Sequence, residues 1–185
     1  MSLYNVALFL HILGVLGLFI AIGLELTGMC RMRVAKTVEQ VLEWTRLSQS
    51  LLIVFPIVSV LILLAGLFML MTAWGWTVAW INTSFIGLIA MSIQGAAINA
   101  PKGKAIHEAA ETSAHGAVST ELRNRINDTA YWTSVLTMTA ASLGIVFLMT
   151  VKPNLIGTLV TAAVSVAVGI VSGQVLRCRV TIVSP

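Results

Sequence analysis

The chain reads as an all-α protein, a polytopic bundle of five transmembrane helices with its N-terminus outside and its C-terminus in the cytoplasm. Three observations lead there. Of 185 residues, 58% are hydrophobic and only 10% charged, whereas a soluble domain carries about 25% charged residues and needs them to clothe its surface. The mean hydropathy is +0.96. The apolar residues gather into runs near the roughly 20 residues that a helix needs to cross hydrocarbon, and ten of the eleven basic residues lie in alternate connections between those runs.

The spans fall at about 4–29, 51–73, 78–99, 131–151 and 154–176, and together they make residues 1–185 a single transmembrane domain. The first ends at Gly28 and the basic run Arg31, Arg33, Lys36. No Lys or Arg precedes the apolar run from Leu3, and that run is too long for the core of a cleavable signal peptide. Before the second span, Val34, Val38, Val41 and Trp44 alternate at helical spacing with Lys36, Glu39, Glu43 and Arg46. That pattern predicts a helix projecting beyond the bilayer before entering it. Trp74-Gly75-Trp76 separates the second span from the third, and Pro101 is expected to close the third. In the long connection that follows, Ser119 can cap a helix with Glu121 in its first turn. This helix is predicted to run through Leu122 and Ile126 into the fourth span. Lys152-Pro153-Asn154 turns the fourth span into the fifth.

The positive-inside rule sets the orientation. Arg31, Arg33, Lys36 and Arg46 share a side with Lys102, Lys104, Arg123 and Arg125, and with Arg177 and Arg179 of the tail; only Lys152 falls opposite. Trp74, Trp76 and Trp80 fit an outer aromatic belt, and Tyr131 with Trp132 an inner one. The formal charge of +4 therefore has a topological origin, and nucleic acid is not an expected partner. The two cysteines, Cys30 and Cys178, are too few for a disulfide framework or a four-thiolate zinc site. Both should lie on the reducing side as free thiols.

Six features carry the chemical readings. His11 is the only histidine in a span, and an ionisable residue there is a functional candidate by default. It suits a haem or copper ligand or a proton shuttle, or else a neutral imidazole bonded to a neighbouring helix. Glu25 shares its face, with Gly14, Leu18 and Ala21 between them. At about 1.5 Å per residue the two lie roughly 21 Å apart, which excludes a direct acid–base pair. They are two stations of a polar pathway, or Glu25 is an interfacial residue anchored by Arg31 or Arg33. The third span is the most polar, with Asn82, Thr83, Ser84, Ser92, Gln94 and Asn99; Gln94 lines a cavity or joins helices. In the fifth span Gly157, Thr161, Ser165, Gly169 and Gly173 recur every fourth residue, a small-residue row built for close helix packing. Gly23 and Gly28, or Ala140 and Gly144, are candidates for the facing surface, and a second copy or a membrane-protein partner is the alternative to packing within the chain. Finally, His107, Glu111 and His115 stand at i, i+4 and i+8. On one helix ended by Gly116 they would share a face fit for a divalent metal, or simply form a solvated surface. Met29, Cys30, Met32 and Cys178 add soft sulfur of the kind that suits Cu(I).

Nucleophile-elbow, zincin and phosphate-loop signatures are missing, and no pair of membrane aspartates occurs, which argues against an enzyme. Leu10-His11-Ile12-Leu13-Gly14 followed by a basic loop, Pro56 through Gly66, and Gly75-Trp76 before Trp80 together resemble small bacterial membrane proteins of unknown function. These look distantly like the membrane domain of copper-resistance D proteins. The resemblance runs to about the end of the third span. It implies a helical bundle in the bacterial cytoplasmic membrane, and it points to His11 as a residue for copper or haem.

Three functions follow as expectations. One is a protein that moves or senses a small solute or ion, with His11, Glu25, Gln94 and Asn82 as polar stations. Another is a non-catalytic subunit that docks a partner or second copy through its fifth helix. The third is a redox protein in which His11 binds haem or copper.

Overall fold

The structure is a computed structural model that describes residues 2–113 and 116–183, with side chains as far as Val175. It is helical, and five of its rods are long and apolar enough to cross a membrane. The elements are α1 (Leu3–Val34), α2 (Val38–Met69), α3 (Ala79–Gln94), α4 (Ala100–Glu111), α5 (Thr120–Ile126), α6 (Thr129–Val151) and α7 (Leu155–Val183). A π-helical turn at Leu70–Trp74 extends α2, and another at Gly95–Asn99 welds α3 to α4.

Side-chain caps set the helix starts. Ser2 accepts from the Asn5 amide, Thr37 from Gln40, Ser119 from Leu122 and Asp128 from Tyr131. At 32 residues each, α1 and α2 reach about 48 Å, well beyond the roughly 30 Å of hydrocarbon. Their basic residues collect at one end, where α1 finishes and α2 begins.

Three boundaries differ from expectation. Pro101 does not close the third span; the rod continues to Glu111. Proline lacks an N–H, and its ring collides with the carbonyl four residues back. The preceding π turn shifts the hydrogen-bond register, so Pro101 falls in the first turn of α4, where a missing N–H is tolerated. Secondly, α5 does not run into the fourth span. The chain leaves the helix at Asn127, and Asp128 starts α6 afresh; the Trp132 indole donates to the Ile126 carbonyl at 2.9 Å across this break. Thirdly, α4 ends at Glu111, short of Gly116.

α1 packs along α2, and α6 along α7, while α3 leans on α6. The first seam is close because Gly14 and Gly17 face Ile62 and Val58; a Cβ at either glycine would fall 2.8–2.9 Å from those side chains. The lipid-facing sides stay apolar, with Ile20, Ile53, Ile86 and Val160 all exposed, as helices in hydrocarbon require.

At the basic end α1, α2, α4, α5 and α6 converge on a packed core around Met29, Met32, Val41, Ile106, Leu122 and Trp132. The Arg123 guanidinium donates to the carbonyls of Arg33 and Ala35 at 2.8 and 2.7 Å, satisfying the end of α1. Val38 and Val118 pair through backbone bonds with Gly116 and Lys36 respectively, so the two loops of this end are stitched together. At the opposite end Leu70, Trp80, Ile81 and Leu148 form a second clamp, and the Lys152 ammonium lies 4.6 Å from the Trp74 ring centre.

Candidate functional site

Between these two ends the α1–α2 pair and the α3–α6 pair part, leaving a cavity of about 470 Å³. Its wall on α2 runs from Ser48 to Leu63, and its wall on α3 and α4 from Leu88 to Gly103. Fifteen residues at about 1.5 Å each make it roughly 22 Å long, parallel to the helices. Leu52, Pro56 and Val60 on one side, with Ser92 and Ala96 on the other, are exposed and frame a lateral mouth toward lipid.

The cavity is graded along its length. Toward the tryptophan end it is lined by Leu18, Leu63, Val60 and Leu88; toward the basic end it reaches Glu25, Ser48, Asn99 and Tyr131. Glu25 is 8% exposed, and the Tyr131 hydroxyl donates to its Oε1 at 2.5 Å. Tyr131 stands against Gly103. Ser48 is 6% exposed and turns its hydroxyl toward the same carboxyl as a potential donor, though it falls short of full hydrogen-bond geometry to any described residue. Asn99 donates its amide to the Met138 sulfur at 2.9 Å, and its Oδ1 is likewise buried without a partner. No Lys, Arg or His nitrogen pairs with Glu25 among the described residues. Arg31 and Arg33, expected as its anchors, lie instead over the Trp44 and Trp132 rings at 6.0 and 5.0 Å.

Of the four polar stations read from sequence, Glu25 alone reaches this cavity. Gln94 donates to Ser134 at both the hydroxyl (2.9 Å) and the carbonyl (3.2 Å), joining α3 to α6. Asn82 donates to the Trp76 carbonyl at 2.8 Å and closes the turn before α3. His11 Nδ1 lies 3.0 Å from the Ile62 carbonyl; since a carbonyl only accepts, Nδ1 carries the proton. Gly66 makes space for the ring, since a Cβ there would stand 3.3 Å from it. His11 thus ties α1 to α2.

The remaining candidates also resolve into packing. A Cβ on Gly169 would run into the Thr137 backbone, one on Gly173 into Thr133, and one on Gly144 into Ser165, with Thr161 in ordinary contact, so the row on α7 faces α6. Gly157 sits over Pro153 at the turn into α7. His107 Nδ1 is 2.9 Å from the Thr45 hydroxyl and its Nε2 3.4 Å from Glu111. His115 lies outside the described residues, and among those described no group of three His, Cys, Asp or Glu is placed to hold a metal ion. Cys30 is a free, exposed thiol; the side chain of Cys178 lies outside the described set.

Tyr131 and Ser48 are the site residues that sequence reasoning missed. Tyr131 reads as an aromatic-belt residue. Ser48 continues the stripe Val38, Val41, Thr45 at helical spacing and so signals a buried, polar position. No family model, curated protein or solved structure matches the chain.

Proposed function

We propose that this multi-pass membrane protein moves or senses a small, elongated and largely apolar solute, which it holds in the cavity between the α1–α2 and α3–α6 pairs. One observation carries the reading. A long apolar cleft with a lateral mouth ends on buried polar groups that lack protein partners, which is how small-molecule sites are built. Packing alone would have filled such a volume with side chains. By the positive-inside rule the polar end faces the cytoplasm, and a bacterial cytoplasmic membrane fits this arrangement. The small-residue row of α7, the surface that suggested a docking role, faces α6. His11, the residue that suggested haem or copper, is engaged by the Ile62 carbonyl.

The test is photolabelling in lipid nanodiscs with a diazirine-bearing dodecanol, mapped by mass spectrometry. Saturable adducts, displaced by unlabelled dodecanol, are expected on Met91, Met138 and Gln49, against unsaturable labelling of the outer face of α7. Ala96→Trp, at the mouth, should abolish the saturable fraction alone. Uniform, unsaturable labelling throughout would defeat the proposal.

A further inference from the structure

We infer that the solute carries a protonated amine at one end of its apolar body, and that Glu25, Ser48 and Asn99 receive that head. The inference rests on the cavity being a ligand site and adds the chemistry of the ligand.

The polar end of the cavity is rich in acceptors. The carboxylate of Glu25 accepts one hydrogen bond, from Tyr131, and has lone pairs for about three more. Ser48 Oγ and Asn99 Oδ1 are buried and unpartnered among the described residues. The Asn99 amide group is already held by Met138, so this residue offers its oxygen. An ammonium supplies three donors and no acceptor, and the Glu25 carboxylate, Ser48 Oγ and Asn99 Oδ1 each keep lone pairs to receive them. An anionic head would meet the Glu25 carboxylate, and a neutral alcohol would satisfy one of the three. Charge balance agrees. A carboxylate in hydrocarbon is costly unless paired, no cation of the described chain pairs with Glu25, and a buried carboxyl in that position holds a proton until a cation arrives. A bound ammonium would supply the missing counter-charge.

The cavity's gradient fixes the orientation. The head sits between Glu25 and Asn99, and the apolar body extends along Pro56, Leu63 and Leu88 toward the tryptophan end. Its roughly 22 Å length accommodates a chain of a dozen methylenes.

The experiment uses the full chain in nanodiscs and reads displacement of the photoreactive dodecanol by dodecylamine, dodecanol and dodecyltrimethylammonium. Dodecylamine should compete about tenfold or more better than dodecanol, the change expected from one charge-assisted hydrogen bond. Dodecyltrimethylammonium, which has charge but no N–H, should fall between them. Glu25→Gln keeps an acceptor for Tyr131 and should erase the preference for the amine while leaving dodecanol competition in place. Equal competition by amine and alcohol on the unmutated chain would overturn the amine head and leave the cavity reading standing. Displacement by none of the three would overturn both. Because the ligand series runs on the unmutated chain, the outcome does not depend on Glu25→Gln folding.

Discussion

Tyr131 and Glu25, 106 positions apart in the chain, meet across the bundle with the phenol donating to the carboxyl at 2.5 Å. This one bond joins the first helix to the sixth at the floor of the cavity, with both side chains almost wholly withdrawn from solvent. A buried polar pair of this kind stabilises modestly when made and costs more when half of it is removed.

Tyr131→Phe should therefore destabilise the protein by about 1–3 kcal/mol, because it strips a buried carboxyl of its donor. Glu25→Gln should cost less, since an amide oxygen still accepts from the phenol. A double-mutant cycle of Tyr131→Phe with Glu25→Met, which removes the acceptor, read by unfolding in mild detergent, should show coupling; additive effects would mean the bond contributes nothing.

The α6–α7 seam gives a sharper contrast. Gly169→Leu must displace the Thr137 backbone, whereas Val168→Leu, one residue away, points outward at an exposed position. The first change should cost about 1–3 kcal/mol or more and the second close to nothing, with the oligomeric state unaltered on sizing. Loss of a dimer without loss of protomer stability would place the seam between chains.

His11→Ala should lower stability by about 0.6 kcal/mol and at most about 1.7, the range for hydrogen bonds between membrane helices. It should leave cavity labelling unchanged, since His11 bonds to Ile62 away from the cavity lining. An absorption band in the purified protein that disappears with His11→Ala would restore a cofactor role.

Topology is tested by single cysteines in a chain with Cys30 and Cys178 replaced by serine. Position 153 should react with an impermeant maleimide on intact cells, and positions 36 and 104 only after permeabilisation. Labelling of position 104 from outside would reverse or break the five-span arrangement.

The spans were legible because each is written locally, as a run of apolar residues closed by charge, glycine or tryptophan. The same holds for Ser119, whose cap needs only the next three residues. Pro101 misled because its effect depends on the π turn beside it, a register change that residue type does not announce. The break at Asp128 did have a local signal, an Asn-Asp pair ahead of Thr129 of the kind that starts helices, but the apolar pattern running past it was the stronger cue. Of the site, Glu25 stood out because charge in a membrane span is conspicuous. Its partnership with Tyr131 and Ser48 is a matter of which helices neighbour one another, and hydropathy carries no record of that.

The two clamps, one of stitched loops around Arg123 and the other of aromatic and aliphatic side chains around Trp80 and Leu148, hold the walls of the cavity at both extremities. A beam fixed at each end yields where its section is weakest, and in the α3–α4 wall that place is the π turn Gly95–Asn99. Its wider coil forms an i→i+5 ladder, and it carries both Ala96 of the mouth and Asn99 of the polar floor. Ala96 and Asn99 therefore share one five-residue coil, so that in the proposed binding role a shift of this coil would open the mouth and move the head-group acceptor together.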